Sequence, residues 1–408
     1  MKILHTADWH IGKVLHKNPL EEEQNLFLEW LLNTIKTNSI DVLLISGDVF
    51  DLANPSVKDR SIYFRFLKKL IGADIKIIIT GGNHDSIGLL NAPREILKML
   101  DVSIIGGATD NIEDELIEIK DKDGELKLVV AAVPFLRDKD LRTLESDKKF
   151  KNKTEATRAG IKKHYATLAK ICEQKYASTP IIAMGHLYAQ GVNRSESERE
   201  IHVGNSAAVS SDIFPDVFNY VALGHIHQPQ IINKNPMIRY SGSPIALSFS
   251  EKKDNKCILV VECKNKTISK PQIIKIPKQR ELKKISGSLQ EVMTEVQNYT
   301  NIFPLPAFIE LEIKEKIRDT SILTKLDEFV YQFDDEERFK ILKTRTEFEQ
   351  GVLNTADLFK EGANIEDLNV KDVFCKKLDA AAKNDDEKTL LIEVFQELID
   401  MHHEKEHE

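Results

Sequence analysis

The chain has no run of about 18 apolar residues, the length a helix needs to cross a bilayer, so no membrane span is expected. Its four cysteines, Cys172, Cys257, Cys263 and Cys375, show no Cys-x-x-Cys spacing. That removes a zinc knuckle and a disulfide framework and leaves buried thiols. No Gly-x-x-x-x-Gly-Lys-[Ser/Thr] loop occurs, so any ATP dependence has to reside in another subunit. Internal repeats and low-complexity tracts are missing too. Positive charge falls short overall, with a net charge of −8, but residues 351–408 hold 15 Asp/Glu against 7 Lys/Arg and account for all of it. The first 350 residues balance at 50 against 50, so the acidity excludes no nucleic-acid partner. The opening Met1–Asp8 enters a strand and reaches an acid, unlike a signal peptide, and cytoplasmic placement is expected.

At 408 residues the chain exceeds one ordinary core, and two or three domains are expected. The run Val42-Leu43-Leu44-Ile45 ending in Ser46-Gly47-Asp48 reads as a buried parallel strand that delivers a carboxylate at its C-terminal edge. In open α/β sheets that edge is where ligands bind. Strands over 1–8, 41–47, 75–80 and 102–106 alternate with helices over 20–37, 56–71 and 90–100, the second starting near Ser56. This predicts a βαβ architecture. From 102 the pattern turns mostly β, with strands over 114–120 and 126–133 joined by the hairpin signal Asp121-Lys122-Asp123-Gly124. A charged helix over 153–175 and strands at 180–184, 218–223, 237–241, 256–262 and 267–275 follow.

The expected fold class is α/β, an α+β sandwich with helices outside, over residues 1–277. Pro277-Lys278-Gln279-Arg280 reads as a linker. A small α/β module is expected over 282–345, with strands at 282–286, 307–314 and 338–343 and helices at 288–299 and 318–332. Residues 353–408 read as helical, over 355–361, 369–381 and 386–403, with Phe374, Leu378, Leu391 and Phe395 supplying an apolar face that fits packing on a partner.

Five strand-to-loop junctions end in metal-type ligands: Asp8-Trp9-His10, Gly47-Asp48, Gly82-Asn83-His84-Asp85, Gly185-His186 and Gly224-His225-Ile226-His227. Five of the twelve histidines fall in these few residues, which sets the clusters apart from incidental loop ends. Glycine beside a ligand lets the backbone turn sharply and approach an ion or phosphate. Two carboxylates, four imidazoles and one amide oxygen, without thiolate, suit Mn²⁺ or Fe²⁺, with Zn²⁺ as an alternative. Seven ligands exceed the needs of one ion. They suit a pair about 3.5–4 Å apart that shares a carboxylate, lowers the pKa of a water and clamps a phosphoryl group.

In this order and spacing, D-x-H, G-D, G-N-H-[DE], G-H and G-H-x-H, the chain resembles the calcineurin-like metallophosphoesterase family. Longer words carry the likeness further: His5-Thr6-Ala7-Asp8-Trp9-His10-Ile11-Gly12, Ser46-Gly47-Asp48-Val49-Phe50-Asp51, Gly81-Gly82-Asn83-His84-Asp85-Ser86, Tyr220 to Gln230, and Tyr240-Ser241-Gly242-Ser243-Pro244. They point to the branch of bacterial DNA nucleases that work beside an ATPase subunit. The resemblance implies two Mn²⁺, with Fe²⁺, Mg²⁺ or Zn²⁺ as alternatives. Asp8, His10, Asp48 and His227 would hold one ion, and Asp48, Asn83, His186 and His225 the other. His84 would protonate the leaving 3′-oxygen or stabilise the transition-state charge, with Asp85 orienting its ring. Asp51 stands where archaeal relatives carry a phosphate-placing histidine, so only a supporting role is assigned to it.

The resemblance further implies 3′→5′ exonuclease action on duplex ends and endonuclease action on single strands and hairpins, in DNA repair, recombination and replication. It implies a homodimer within a heterotetramer, a capping function for 282–345 in recognising DNA, and docking of 353–408 on the ATPase. A phosphomonoesterase or cyclic-nucleotide phosphodiesterase could be built on the same site, but such chains usually lack the extra module and helical tail. A scaffold that has lost its metals is disfavoured, because every expected ligand is present. Beside the site, Lys13, His16 and Lys17 are candidates for touching the DNA backbone, and Arg194, Ser195 and Arg199 for flanking the substrate groove. Lys283, Lys284, Lys314 and Lys316 are compatible with phosphate contacts, and His402, His403 and His407 read as a His-rich end rather than a metal site.

Overall fold

In the computed structural model of the chain, every residue of the strand Val42–Ser46 is buried, as an apolar run between two covered faces requires. The structure describes residues 1–141, 153–189, 192, 195, 197–198, 209–316, 320–332, 337–348 and eight positions between 374 and 395. Val42–Ser46 is β4, and it runs parallel to β1 (Lys2–Thr6) on one side and β5 (Lys76–Thr80) on the other. β6 (Val102–Ile105) continues the parallel order beyond β5. On the far side of β1, β13 (Cys257–Lys264) pairs antiparallel and carries β14 (Thr267–Ile268) and β15 (Gln272–Lys275). A short hairpin of β2 (Val14–Leu15) and β3 (Asn18–Pro19) follows the first ligand pair.

The second sheet has the order β11-β12-β10-β9-β8-β7. Its strands are β7 (Leu116–Lys120), β8 (Leu126–Ala132), β9 (Ile181–His186), β10 (Tyr220–Gly224), β11 (Gln230–Ile232) and β12 (Asn235–Tyr240). β8, β9, β10 and β12 are parallel to one another. The two sheets share a core of Ile3, Val42, Leu44 and Ile78 from one and Leu128, Val130, Ile182, Met184 and Ala222 from the other. Side chains alternate across a strand, so the intervening Val129, Ala131, Ala183 and Val221 pack instead with Ile161, Tyr165 and Leu168 of the helix Lys153–Lys175. On the connections β1 to β4 and β4 to β5 lie α1 (Glu21–Asn38) and α2 (Val57–Leu70). The Trp9 ring stands edge-on to Phe27 of α1 at 5.9 Å and to Phe66 of α2 at 5.2 Å. The sandwich flanked by helices is the architecture that the alternation of patterns predicts.

Ser56 caps α2 in the expected way. Its hydroxyl accepts from Asp59 N, and the Asp59 carboxylate accepts from Ser56 N at 2.9 Å, a reciprocal capping box. The hairpin signal also forms as read, with Gly124 N donating to Asp121 O at 3.0 Å. The helix expected over 90–100 is instead two pieces, α3 (Ile87–Asn91) and α4 (Arg94–Lys98). Pro93 between them has no N–H to give, and its ring crowds the carbonyl four residues back. The strand expected over 267–275 is split into β14 and β15 by residues 269–271, where Pro271 has no N–H to give to a ladder.

By backbone contacts the chain divides into two units, Met1–Lys283 with Asn301–Phe308, and Lys284–Thr300 with Ile309–Glu408. The second is built on a three-stranded sheet, β16 (Leu282–Gly287), β17 (Ala307–Glu315) and β18 (Phe339–Phe348), in the order β16-β17-β18, and on helices Leu289–Gln297 and Thr320–Gln332. Ile285, Val292, Val296, Ile309, Leu311, Phe329 and Phe339 are buried in it. Lys284 and Lys314 are tied to Glu312 at 2.6 and 3.2 Å. The expected helices 355–361, 369–381 and 386–403, and His402, His403 and His407, lie outside the described residues apart from those eight positions. Among the eight, the rings of Phe374 and Phe395 stack at 3.8 Å. Among the described residues no helix is long and apolar enough to cross a membrane. Cys172, Cys257 and Cys263 are free thiols.

Candidate metal centre

The C-terminal ends of β1, β4 and β5 in one sheet and of β9 and β10 in the other carry the expected ligands to one end of the sandwich. Asp8 follows β1, Asp48 follows β4, Asn83 follows β5, His186 ends β9, and His225 and His227 follow β10. Two backbone bonds join the first junctions: Asp8 N donates to Gly47 O at 3.1 Å and His10 N to Asp48 O at 3.0 Å. Asp8, His10, Asp48 and His225 all have positive φ, at +55°, +46°, +51° and +100°. That region is disfavoured for residues with a Cβ, and such strain persists where the surroundings dictate it. Gly47 has φ +83°, and a Cβ there would run into the His186 imidazole. A Cβ at Gly82 would meet the Asp48 carboxylate. These two glycines let the loops close on the ligands.

Asp48 stands at the centre. Its Oδ2 lies 3.3 Å from His186 Nε2, 3.5 Å from His10 Nε2 and 3.9 Å from His84 Nε2. Its Oδ1 accepts from His84 N at 2.9 Å. Asn83 Oδ1 lies 3.0 Å from His186 Nε2 and 3.2 Å from His225 Nδ1. His227 Nε2 lies 3.1 Å from His10 Nε2. Asp8 Oδ1 accepts from His225 N at 2.8 Å and lies 3.9 Å from His186 Nδ1. All seven expected ligands therefore meet in one pocket. Among the described residues, the groups close enough to share an ion are Asp8–His10–His227, His10–Asp48–His84 and Asp8–Asp48–His186.

The partners of the other ring nitrogens fix the tautomers. His186 Nδ1–H donates to the carbonyl of Ser46 at 2.9 Å, and His10 Nδ1–H donates to Asp51 Oδ1 at 3.1 Å. With Nδ1 so engaged, Nε2 of each is the atom turned to the pocket, and it offers a lone pair to a cation once the ring is neutral. Two such lone pairs cannot face each other at the His10–His227 distance without a cation or a proton nearby. Asp8 Oδ2 and His225 Nε2 are buried with no hydrogen-bond partner. A buried polar atom left so is costly. The donor set fits divalent cations of borderline hardness.

The charges point the same way. Burial would lower the His186 imidazole, but the Asp48 carboxylate beside it pushes it up to about 9. Burial raises Asp8 well above the usual carboxylate range, against the pull of His186. Burial also lowers His225, with His186 adding to the effect. For Asp85, burial and the neighbouring Asp48 raise the carboxyl to about 6.

Asp85 has a different place from the one its sequence neighbourhood suggests. Its carboxylate accepts three backbone N–H bonds, from Gly82 at 2.9 Å, Phe50 at 3.0 Å and Val49 at 3.1 Å. It therefore pins the loop after β5 to the loop after β4, and the His84 ring is oriented elsewhere: Nδ1–H donates to the carbonyl of Asp51 at 2.7 Å. The chain bends over residues 83–85, and the Asp85 side chain turns back to Gly82 N. Asp51 serves His10 and also accepts from Lys13 Nζ at 3.1 Å, so the Lys13 ammonium is engaged within the centre. His16 packs near the Phe249 ring at 5.9 Å, and the Ser195 hydroxyl donates to Glu251 at 3.0 Å. Arg194 and Arg199 lie outside the described residues.

Sequence reasoning missed Gln24, whose Nε2 donates to His10 O at 2.6 Å, and a group around His227 made of Ser197, Glu198, Glu251 and Lys256. Only the acid of Ser248-Phe249-Ser250-Glu251, coming soon after the Tyr240–Pro244 word, offered a signal, and a weak one.

The chain is also similar to known proteins. The family profile "Calcineurin-like phosphoesterase" matches residues 1–229. The chain is 29% identical to the SbcD component of the SbcCD nuclease of Escherichia coli (strain K12) over 383 residues, covering 90% of this chain and 94% of that one. The counterpart in Staphylococcus saprophyticus is 31% identical, covering 72% of this chain and 74% of that one. That of Rhodobacter capsulatus is 38% identical over 62% of this chain and 64% of its own length.

Proposed function

The chain belongs to the calcineurin-like phosphoesterases and, within them, to the SbcD nucleases, and on this premise we propose how its buried centre cuts DNA. It is an SbcD-type DNA nuclease, a metal-dependent phosphodiesterase. On our reading one ion is held by Asp8, His10, Asp48 and His227 and a second by Asp48, Asn83, His186 and His225, both Mn²⁺, with Fe²⁺, Mg²⁺ or Zn²⁺ as alternatives. The observation that carries it is Asp48 Oδ2, within 3.9 Å of three imidazoles in a pocket where Asp8 Oδ2 has no partner. When bound, the ions supply a water of lowered pKa and positive charge against the phosphate.

The chain's own residues do the rest. His84, fixed through Nδ1, presents Nε2 toward the pocket and delivers a proton to the leaving sugar oxygen. Asp51 holds the His84 ring through its carbonyl and the His10 ring through its carboxylate. Asp85 keeps the two ligand loops in register.

We read the substrates as duplex ends, digested 3′→5′, and single strands and hairpins, cut internally, in DNA repair, recombination and replication. The partner is an SbcC-type ATPase: the relatives are components of SbcCD, and this chain has no phosphate-binding loop for ATP. We assign 282–345 to capping and DNA recognition and 353–408 to docking on the ATPase, in a homodimer within a heterotetramer. The stacked Phe374 and Phe395 support an aromatic contact in that docking segment. Incubating the purified chain with Mn²⁺ and either a hairpin DNA or a phosphomonoester tests the substrate class. Cleaved DNA with the phosphomonoester untouched is expected, and rapid phosphomonoester turnover with intact DNA would overturn the reading.

A further inference from the structure

His227 is gripped at three points by groups far from it in sequence. Its N–H donates to Glu198 Oε1 at 2.9 Å. Its carbonyl accepts from Lys256 Nζ at 3.0 Å and from Ser243 N at 3.1 Å. Its Nδ1 lies 2.6 Å from Ser197 Oγ. Behind that hydroxyl sits Glu251, 1% exposed, whose Oε1 accepts from Ser197 and from Ser195 and lies 3.4 Å from His227 Nδ1. Its Oε2 accepts from Lys256 Nζ at 2.5 Å and from Leu247 N at 3.2 Å. A carboxylate so deeply buried is retained only where its charge is compensated, and two of its partners, Ser197 and Lys256, also touch His227.

The chemistry sets the direction of the protons. Glu251 can only accept, so Ser197 O–H donates to it and the serine oxygen accepts from His227 Nδ1–H. The remaining lone pair is then on Nε2, facing His10 Nε2. We propose that Glu251, acting through Ser197, is a positioning residue for His227, and that Ser197 and Glu198 are thereby built into the metal centre. This rests on the metal-centre reading above. It makes the two halves of the centre unequal: His10 and His227 each have a carboxylate behind them, Asp51 directly and Glu251 through a hydroxyl, while His186 leans on the neutral carbonyl of Ser46. Carboxylate support of that kind raises imidazole basicity and fixes its orientation.

The test is a Mn²⁺ titration of the full chain, followed by the loss of the free-ion electron paramagnetic resonance signal. Wild type is compared with His227→Ala, Glu251→Gln, Ser197→Ala and Ser197→Thr. The ion lost in His227→Ala is expected to bind about 10–100-fold more weakly in Glu251→Gln, the other ion staying within about 2-fold. Ser197→Ala is expected to weaken the same ion about 2–10-fold and Ser197→Thr, which keeps the hydroxyl, to restore it. If Glu251→Gln does not fold, the two serine variants decide alone. Wild-type affinity in both Glu251→Gln and Ser197→Ala, with an ion still lost in His227→Ala, overturns the positioning role only. Equal weakening of both ions in Glu251→Gln beside a wild-type Ser197→Ala makes Glu251 merely structural and also overturns it. Unchanged binding in His227→Ala overturns the metal-centre reading itself.

Discussion

His84 donates its Nδ1 proton to the backbone carbonyl of Asp51 at 2.7 Å, and the carboxylate of the same Asp51 receives the His10 Nδ1 proton at 3.1 Å. The two rings stand nearly perpendicular, 89° apart with centroids at 4.6 Å. One residue after β4 thus sets both a candidate metal ligand and the candidate proton donor. Because the two contacts use different atoms of Asp51, they can be separated by substitution.

Replacing His84 with Ala should leave metal content at the wild-type level, since its ring is not among the expected ligands. Cleavage of hairpin DNA should fall about 10²–10⁴-fold, the usual worth of a positioned general acid. Near wild-type cleavage by His84→Ala would remove it from the mechanism.

Asp51→Asn keeps the carbonyl that holds His84 but replaces the anion behind His10. Weaker binding of the ion on His10, by about 10-fold or more, is expected in a Mn²⁺ titration. The perpendicular setting of His84 should survive, so saturating Mn²⁺ should restore most of the cleavage rate. A rate that stays low at saturation would mean that Asp51 acts on the phosphate or on His84 instead.

Gly47→Ala places a Cβ against the His186 ring in a backbone at φ +83°. The fold should lose about 1–3 kcal/mol, read as a lower Tm of the metal-free chain. The His186 ligand should be displaced as well, so Mn²⁺ uptake should fall. An unchanged Tm would show that the loop has room which the structure does not give it.

The raised pKa of His186, about 9, has a defined consequence without metal. A histidine whose folded pKa lies above its unfolded value of about 6.5 stabilises the fold fully below that pH and loses the contribution as pH rises through 9. Asp85, raised to about 6, loses stability between its unfolded value and about pH 6 and is level above that, so the fall above pH 6.5 belongs to His186. Thermal unfolding in chelator should therefore give a falling Tm from pH 6.5 to 9. Metal must displace the His186 proton, so Mn²⁺ should add more stability at pH 8.5 than at pH 6.5. An equal Mn²⁺ increment at both values would contradict the assignment of His186 as a ligand.

Much of the fold could be read from local pattern. Val42–Ile45 announced a covered strand because apolar residues on both faces admit no other placement, and Ser56 with Asp59 marked a helix start through a bond that spans three residues. Pro93 broke a helix that periodicity alone carried on to residue 100. The ligand residues were legible because they cluster at the ends of five strands, and parallel strands bring their ends together. What sequence did not reveal was the support behind them. Glu251 meets His227 and Ser197 across 24 and 54 residues, contacts set by tertiary packing that no spacing encodes. Asp85 beside His84 looked like its orienting partner, yet a main-chain carbonyl at Asp51 took that place, and carbonyls leave no mark in a sequence.

The central claim is that Asp48 serves both halves of a metal-dependent nuclease centre. It is tested most directly by the Mn²⁺ content of purified Asp48→Asn and His227→Ala chains, measured beside their cleavage of hairpin DNA. If Asp48 is shared, Asp48→Asn should retain almost no Mn²⁺ and no cleavage, while His227→Ala should keep about one ion per chain. Asp48→Asn holding as much Mn²⁺ as His227→Ala would contradict the shared carboxylate.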